Sequence, residues 1–460
     1  MVAIPLYLKM PSRARIDFDE LPYPTVIVIG GGFGGMELIQ GLSGRPYKVI
    51  LIDRQNHHCF QPLLYQVATA SLSADSIGHP FRRTVAPMPN VIFRMARVLA
   101  VDPSQKKVRT DHGDLDYDIL VIGTGSATNF FGNQRIAEHA MQLKTIGQAL
   151  DIRSDFLQEF EAAVHQREEL VVRKTLAFVI VGGGPTGVEL AGALAEIKRT
   201  VLKQEYREVE SDLMEIVLID SNERVLQHFS EEASARSLRY LKELGVTVML
   251  GKRVTDYDGE QLTLNDGSTM LTNTVIWAAG VKGVSIAGLQ DSFNERASRY
   301  DVDGQLALRG QPDIYAIGDV ALSTDDPAWP KGHPQVATVA MQQGRYIAGL
   351  LAARANGATV DPFRYKHKGS MATIGRARAV ADLGSRTIGG WLAWVLWMFV
   401  HVIQLVGFRN RITVLFNWAW KYLSWKNTIR LIIRPYVRHG SQVAAGPTVV
   451  PVAEPFHKSS

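Results

Sequence analysis

The chain has 460 residues, of which 46% are hydrophobic and 21% charged, so its bulk is neither disordered nor a polytopic membrane protein. Its one cysteine, Cys59, excludes an intramolecular disulfide, a CxxC redox pair and a cysteine-built metal site. The net charge of +5 comes from one end, because eight Lys and Arg and no Asp or Glu lie between Asp382 and Glu454. This distribution argues against a nucleic-acid-binding body and indicates a basic segment that faces anionic lipid.

The N-terminal segment, residues 1–24, carries scattered charges and no long apolar run. It therefore does not have the pattern of a secretory signal peptide. We expect the bulk of the chain to stay in the cytoplasm, where a single unpaired cysteine is also unremarkable.

The first structural unit is a strand, a glycine-rich turn and a helix. The β-branched run Val26–Gly30 predicts a strand, a helix follows from Gly34, and Lys48–Asp53 predicts a second strand. The turn contains a G-x-G-x-x-G motif, and an aspartate ends the partner strand 23 positions after its first glycine. This is the pattern of a dinucleotide-binding turn; the residues expected to serve it are Gly30, Gly32, Gly34, Gly35, Asp53 and Arg54.

The same unit occurs a second time in the middle of the chain. Phe178–Gly182 predicts a strand, a helix begins at about Pro185, and Glu215–Asp220 predicts the partner strand. The interval from the first glycine to the aspartate is 38 positions, and we expect the extra length to be an extended helix over 196–210. The candidate binding residues are Gly182, Gly184, Gly187 and Asp220.

Three further apolar runs end at glycines, over 117–123, 273–280 and 313–319, and each predicts another buried strand. A helix is expected over 336–353, after Pro334. One glycine motif alone could serve packing only, but two copies in the same context predict two bound nucleotides and an α/β fold with two Rossmann-like domains.

The order of these motifs resembles the two-dinucleotide-domain flavoproteins related to glutathione reductase. The resemblance implies that the first motif binds FAD and the second binds NADH. An acid at Asp220 favours NADH over NADPH, because it repels a 2′-phosphate. By the same resemblance Gly318 and Asp319 contact the ribityl and pyrophosphate groups of FAD, while Thr124, Gly125 and Gly280 lie in the turns where the chain passes between domains.

Within that superfamily the chain resembles the type II NADH:quinone oxidoreductases, through the motifs at 56–68, 187–189 and 340–344. The resemblance implies a catalytic role for Glu189 where nicotinamide meets flavin, and for Gln342 and Gln343 near the quinone. Thr338 departs from the family, which often has glutamine there. Other interpretations are a helix-dipole role for Glu189 and ordinary polar surface positions for the two glutamines.

Two histidines and the cysteine of the motif at 56–68 are expected to have structural roles. His57 and His58 are adjacent in sequence, a poor spacing for metal ligands, and no metal site is predicted. Cys59 is expected to be a small buried or half-buried residue without redox work.

The C-terminal segment is basic and aromatic, and six of the eight tryptophans lie there. Residues 388–408 contain no charged side chain and would form a helix of about 31 Å, long enough to span a bilayer. From Ile412 the pattern instead favours a helix that lies in the membrane interface, and the family resemblance implies such monotopic attachment. A buried core helix or a dimer contact is the alternative.

These observations lead to one functional hypothesis. A membrane-bound FAD enzyme transfers hydride from NADH to FAD and then two electrons to a quinone, without proton pumping, at the inner (cytoplasmic) membrane with its catalytic domains facing the cytoplasm. The expected domains are an FAD-binding domain over 22–172 and 291–366, an NADH-binding domain over 173–290, a membrane-attachment region over 367–440 and a flexible tail over 441–460. The alternatives are an NADH-dependent reductase of a soluble electron carrier and a non-catalytic NAD/FAD sensor. The identity of the quinone, covalent attachment of FAD and the formation of a homodimer stay open.

Overall fold

A computed structural model describes residues 18–384, 386–406, 408–424, 430–432 and 434–438. The tail expected to be flexible, 441–460, and residues 1–17 of the N-terminal segment lie outside the described residues.

The described part of the chain contains 27 strands, many of them short. They are β1 Thr25–Ile29, β2 Lys48–Asp53, β3 His57–Cys59, β4 Gly78–Pro80, β5 Val91–Met95, β6 Val98–Asp102, β7 Lys107–Thr110, β8 Gly113–Asp116, β9 Ile119–Ile122, β10 Ser126–Thr128, β11 Met141–Gln142, β12 Ala177–Val181, β13 Glu215–Asp220, β14 Thr247–Leu250, β15 Val254–Tyr257, β16 Gln261–Leu264, β17 Thr269–Leu271, β18 Thr274–Trp277, β19 Val281–Gly283, β20 Phe293–Asn294, β21 Arg299–Val302, β22 Ala307–Leu308, β23 Gln311–Ala316, β24 Ala321–Ser323, β25 Ser370–Thr373, β26 Ala379–Asp382 and β27 Thr387–Gly390.

Twelve α-helices lie in the same described part. They are α1 Phe33–Leu42, α2 Leu64–Ala68, α3 Phe81–Val85, α4 Gln134–His139, α5 Ile146–Val164, α6 Glu169–Thr175, α7 Pro185–Ile197, α8 Lys203–Glu205, α9 Glu231–Glu243, α10 Ala337–Ala355, α11 Trp391–Gln404 and α12 Phe408–Ser424. Local sequence accounts for several starts: Pro185 occupies the first turn of α7, and Thr145 with Gln148 forms a capping box on α5.

The first sheet is built around β1. Its parallel strands run in the order β23-β9-β1-β2-β5, and β20, β21, β22 and β24 extend it on the β23 side. Strand β1 is apolar and almost wholly buried, as expected for a strand with parallel neighbours on both sides. Helices α1 and α10 pack against each other on this unit, so that two distant parts of the chain build one core.

The second sheet is also built of parallel strands around a buried central strand. Its strands are all parallel, in the order β11-β18-β12-β13-β14. The central strand β12 is buried over its whole length. The antiparallel pair β10 and β19 connects the two units at the point where the chain crosses between them.

The sequence predicted the central strands closely. Lys48–Asp53 and Glu215–Asp220 have the expected bounds, and the other apolar runs each contain a strand. The expected extended helix is only partly correct: α7 ends at Ile197, a π-helical stretch covers Lys198–Leu202, and α8 ends at Glu205. Asp220 nevertheless stands at the end of its strand, as expected.

The C-terminal region begins as a sheet. Strands β25, β26 and β27 form an antiparallel meander that packs on α7 and α9 of the second unit. The prediction of one helix over 388–408 is therefore wrong, because its first three residues belong to β27 and Gly390 has a φ of +74° at the N-cap of α11. Helix α11 has 14 residues, about 21 Å, and among the described residues no helix is long and apolar enough to cross a membrane.

Helices α11 and α12 join the core of the second unit through some of their described side chains. Trp397, Val414 and Trp418 are buried in the cluster that also contains residues of α5, α7 and β12. Farther along, Arg434 pairs with Asp151, and Arg438 pairs with Asp155 and Glu159. Two of the basic tail residues thus contact α5 of the protein itself.

Candidate active site

The first glycine loop joins β1 to α1. Two of its three motif glycines have no space for a side chain, and one faces open space. Gly30 has a φ of +101°, and a Cβ there would overlap the carbonyl oxygen of Gly123. A Cβ on Gly35 would overlap the carbonyl oxygen of Gly30. By contrast, a Cβ on Gly32 would meet nothing within 4 Å, and Gly32 is the N-cap of α1. The loop therefore fits a pyrophosphate, which needs close access to a helix N-terminus.

Asp53 closes this loop from the end of β2. Its carboxylate accepts hydrogen bonds from the backbone N–H groups of Gly31 and Gln55, both at 2.8 Å. Burial raises the pKa of Asp53, opposed by these two bonds and by the charges of Arg54 and His57. The side chain is thus positioned at the strand end where a ribose is held in such units.

The second loop has the same construction. Gly182 has a φ of +115°, and a Cβ there would lie 2.7 Å from the backbone of Ala278 and Ala279. A Cβ on Gly187 would overlap the carbonyl oxygen of Gly182, whereas one on Gly184 would meet nothing within 4 Å. This loop therefore also fits a pyrophosphate at the N-terminus of its helix.

Asp220 repeats the position of Asp53. It accepts hydrogen bonds from the backbone N–H groups of Gly183 and, at 2.7 Å, of Asn222. Gly280, with a φ of +76°, lies in the turn that follows Ala278 and Ala279 and thus borders the second loop.

Asp319 lies in a polar chain beside the first loop. Ser126 donates a hydrogen bond from Oγ to Oδ2 of Asp319 at 2.6 Å, and Lys144 donates from Nζ to Ser126 Oγ at 3.0 Å. Burial lowers the pKa of Lys144, opposed by the charge of Asp319. Sequence reasoning missed Ser126 and Lys144, although Ser126 directly follows the Thr124-Gly125 turn.

The other residues of that turn connect the two units. Thr124 donates a hydrogen bond from Oγ1 to the carbonyl oxygen of Val284 at 2.7 Å, and Gly125 has a φ of +67°. Gly318 also has a positive φ, of +74°. The turn residues therefore fix the path of the chain next to Asp319.

The two adjacent glutamines of α10 have different partners: Gln343 contacts Gly318, next to Asp319, and Gln342 contacts Lys366. Gln343 is fully buried on α10; its Oε1 accepts from the N–H of Gly318 at 2.7 Å, and its Nε2 has no partner among the described residues. An unpaired buried amide fits a bound group that accepts a hydrogen bond. Gln342 is occupied instead, because its amide bonds both the N–H and the carbonyl oxygen of Lys366, at 3.0 and 2.9 Å. Thr338 bonds Tyr365 at 2.9 Å.

Glu189 lies buried near the start of α7, with 7% of its surface exposed. Burial raises its pKa to about 8, while a hydrogen bond from the N–H of Thr373 and the nearby Trp397 indole act in the opposite direction. The indole Nε1 itself makes no hydrogen bond of good geometry in the described part. Glu189 therefore carries a proton at neutral pH and can release it at moderately alkaline pH.

A partly open pocket lies between the second unit and the C-terminal helices; it holds about 550 Å³ of empty space, which includes space open to solvent. Its wall is rich in aromatic side chains and includes three tryptophans; the lining residues are Tyr65, Gln66, Ser71, Ala193, Glu196, Thr373, Gly375, Arg376, Trp394, Trp397 and Trp418. Thr373 and Trp397 are also the neighbours of Glu189, so the carboxyl lies just behind this wall. The sequence did not indicate that these residues line one pocket, because they come from five separate segments of the chain.

The motif at 56–68 packs against the first glycine loop and contains no reactive or metal-binding group in the described residues. His58 is buried, and its Nδ1 lies 2.9 Å from the carbonyl oxygen of Gly31. Burial raises the pKa of the Cys59 thiol to about 12, so that it is not a nucleophile at neutral pH. Among the described residues, no group of three or more His, Cys, Asp or Glu side chains could hold a metal ion.

The fold and the paired loops define a two-nucleotide flavoprotein, and residues 24–344 match the pyridine nucleotide-disulphide oxidoreductase family. Residues 367–427 match the NDH2 C-terminal domain. The chain is 35% identical to a type II NADH:quinone oxidoreductase of Mycobacterium tuberculosis, over 87% of this chain and 88% of that protein. It belongs to the type II NADH:quinone oxidoreductases, and the predicted fold class and family are confirmed.

Further relatives extend the comparison. The internal alternative NAD(P)H-ubiquinone oxidoreductase A1 of Arabidopsis thaliana mitochondria is 28% identical, over 89% of this chain and 86% of that protein. The structure of NDH2 from Plasmodium falciparum in complex with NADH superposes with a TM-score of 0.82, at 21% identity, covering 89% of this chain and all of that one. A sulfide:quinone oxidoreductase of Aquifex aeolicus, at 18% identity, has a TM-score of 0.68 over 87% of this chain and 95% of that one. These two structures support the fold.

Proposed function

We propose that this protein oxidises NADH and reduces a quinone with FAD as its bound redox group, in the reaction NADH + H⁺ + quinone → NAD⁺ + quinol, without pumping protons. The observation that carries the proposal is the pair of glycine loops, each open at its second glycine, on a chain of this family. FAD supplies the redox chemistry, because it accepts a hydride and returns two electrons. The protein's own residues bind and orient FAD, NADH and the quinone, and one of them supplies a proton.

The first loop is assigned to FAD. The N-terminus of α1, opened by Gly32, binds the pyrophosphate between Gly30 and Gly35, and Asp53 and Arg54 hold the adenosine end. Gly318, Asp319, Thr124 and Gly125 line the other half. Gln343 contributes the free Nε2 of its buried amide, which is a positioning role in this proposal.

The second loop is assigned to NADH. Gly182, Gly184 and Gly187 admit the pyrophosphate to the N-terminus of α7, and Gly280 borders the same loop. Asp220 accepts the ribose hydroxyls and disfavours a 2′-phosphate.

The aromatic pocket is assigned to the quinone. Its lining contains Tyr65 and three tryptophans, aromatic side chains that suit contact with a quinone ring. Glu189 lies behind the wall at Thr373 and Trp397. The reaction consumes one proton beyond the hydride of NADH, and the protonated Glu189 holds a proton at the required place. Gln342, which the family resemblance led us to expect near the quinone, instead holds the backbone at Lys366 through two hydrogen bonds.

The surface of α11 and α12 is assigned to the inner (cytoplasmic) membrane, with the two nucleotide units facing the cytoplasm. Among the side chains of these helices that the structure describes, seven large apolar ones are exposed: Trp391, Leu392, Phe399, Ile403, Ile412, Leu415 and Phe416. An exposed patch of this kind, next to basic residues, suits the interface of an anionic bilayer. We expect binding to vesicles that contain phosphatidylglycerol and weaker binding when Phe399 is replaced by serine. A homodimer stays a prediction.

The direct test is steady-state turnover by the purified, FAD-loaded protein. We expect NADH oxidation to require a soluble short-chain quinone and to proceed with one quinol formed for each NADH. NADPH and sulfide as donors are the controls, and both should support little turnover. Quinone-independent oxidation of NADH, or no oxidation at all, would contradict the proposal.

A further inference from the structure

One exposed aromatic side chain is held in a strained backbone conformation beside the second loop. Phe131 has a φ of +53°, a region that bulky residues rarely adopt, and 70% of its surface is exposed. It belongs to the turn Asn129–Gly132 between β10 and α4. Such strain on a residue that contributes little to the core points to a functional constraint.

The turn is fixed rather than loose. The N–H of Phe131 donates to Asn129 Oδ1 at 2.9 Å, and the indole Nε1 of Trp277 donates to the carbonyl oxygens of both Asn129 and Ala279, each at 2.9 Å. One buried indole thus ties the Phe131 turn to the turn that borders the second loop. The strained conformation is therefore specified by its surroundings.

The ring of Phe131 lies directly on Gly280. A Cβ built on Gly280 would come within 2.8 Å of the ring Cζ. The turn of Gly280 is continuous with Ala278 and Ala279, whose backbone packs against Gly182 of the loop. A side chain at position 280 would displace the ring, so that the glycine and the exposed phenyl group form one arrangement.

Sheet order decides which half of a dinucleotide this position faces. Strand β12 leads into the glycine loop, β13 on one side of it ends in Asp220, and β18 on the other side leads to Gly280. In such sheets the ligand crosses the carboxyl ends of the strands, with the adenosine ribose at the acidic residue. The opposite side, where Phe131 lies, is the side of the nicotinamide half.

We propose that Phe131 is a positioning residue for the nicotinamide half of NADH: its exposed ring, held over Gly280, forms an apolar wall against which that half rests. The inference rests on the assignment of the second loop to NADH. An aromatic ring suits this task, because it offers a flat surface to a planar heterocycle and loses little conformational freedom on binding.

The test uses the holoenzyme and NAD⁺, which binds without reducing FAD. Replacement of Phe131 by glycine removes the ring and relieves the positive φ, so that the melting temperature should stay equal or rise. The dissociation constant of NAD⁺ and the KM for NADH should increase about five- to tenfold, while the KM for the quinone stays unchanged. Phe131→Tyr, which keeps the ring, should bind NAD⁺ like the wild type.

Lys106→Gly is the control for the positive φ, since Lys106 is also exposed, has a φ of +52° and lies in the first unit. It also removes an ion pair with Asp313, which contributes little to stability because both side chains are exposed to solvent. It should share any gain in melting temperature without a change in NAD⁺ binding. Unchanged NAD⁺ affinity in Phe131→Gly, or a clear fall in its melting temperature relative to Lys106→Gly, overturns the inference. Absence of NADH:quinone turnover in the wild type would instead overturn the proposed function.

Discussion

The two glycine loops have the same backbone geometry and different surroundings. At the first loop, a Cβ on Gly31 would overlap the ring of Phe81, and one on Gly34 would lie 3.0 Å from the carbonyl oxygen of Ala340 on α10. A Cβ on Gly344 of α10 would in turn overlap the carbonyl oxygen of Gly34. Helix α10 and Phe81 thus enclose the first helix start.

The second loop begins its helix in the open. Pro185 and Thr186, in the first turn of α7, are both exposed, and the exposed ring of Phe131 lies nearby. The same glycine motif can therefore serve two purposes. The enclosed loop suits a nucleotide that stays bound, as FAD does, and the open loop suits one that must enter and leave in each cycle.

The largest effect is expected from a side chain at the third glycine of each loop. Gly35→Val should destabilise the first unit by about 3 kcal/mol or more and yield protein with little FAD, because the Cβ has no space against Gly30. Gly187→Val should retain FAD and lose NADH binding. Absorbance of bound flavin measures the FAD content, thermal unfolding measures the destabilisation, and titration with NAD⁺ measures nucleotide binding by the second loop.

Gly32→Ala is the control for these variants. Its Cβ meets no protein atom, so that folding should be intact while FAD binding weakens. Equal flavin content in Gly35→Val and the wild type would contradict the enclosure of the first loop.

The next effect concerns Glu189, the buried carboxyl behind the pocket that we assign to the quinone. The folded pKa of about 8 exceeds the unfolded value of 4.5, so that the native protein binds more protons between these two values. The free energy of unfolding of the wild type, relative to Glu189→Gln, should therefore fall by roughly 3–5 kcal/mol as the pH rises from 4.5 to 8 and then level off.

Turnover gives a second measure of the same group. Quinone reduction by the wild type should decline above about pH 8, where Glu189 loses its proton. Glu189→Gln should be about 100-fold slower without that decline. A variant with wild-type rate and pH profile would remove Glu189 from the mechanism.

A smaller effect distinguishes the two aspartates. In Asp220→Asn the amide oxygen can still accept from Gly183, but the negative charge is lost. The ratio of kcat/KM for NADPH to that for NADH should therefore rise about tenfold. Asp53→Asn, the matched change in the first unit, should lower FAD content and leave that ratio unchanged. A ratio that shifts equally in both variants would contradict the assignment of the loops.

The local parts of the fold could be predicted from the sequence. Strands β2 and β13 have the predicted bounds, because β-branched runs followed by Asp and loop residues determine them within a few positions. The glycine loops follow for the same reason, since the steric need at Gly30 or Gly182 arises within a short segment and its immediate neighbour strand.

The parts that were wrong or missed depend on distant contacts. An apolar run over 388–408 predicts one long helix, but Ile388 pairs with Ala381 in a sheet that covers the second unit. Ser126 contacts Asp319, 193 positions away, and Gln342 contacts Lys366, 24 positions away and beyond the end of α10. Periodicity within one segment contains no information about such pairs.

The central claim is that one loop retains its nucleotide and the other exchanges it. The most direct test is to dialyse the holoenzyme against a buffer that contains labelled NAD⁺ and no FAD. We predict that one FAD per chain remains bound after dialysis, while labelled NAD⁺ reaches its equilibrium occupancy. Loss of FAD at a rate similar to the exchange of NAD⁺ would contradict it.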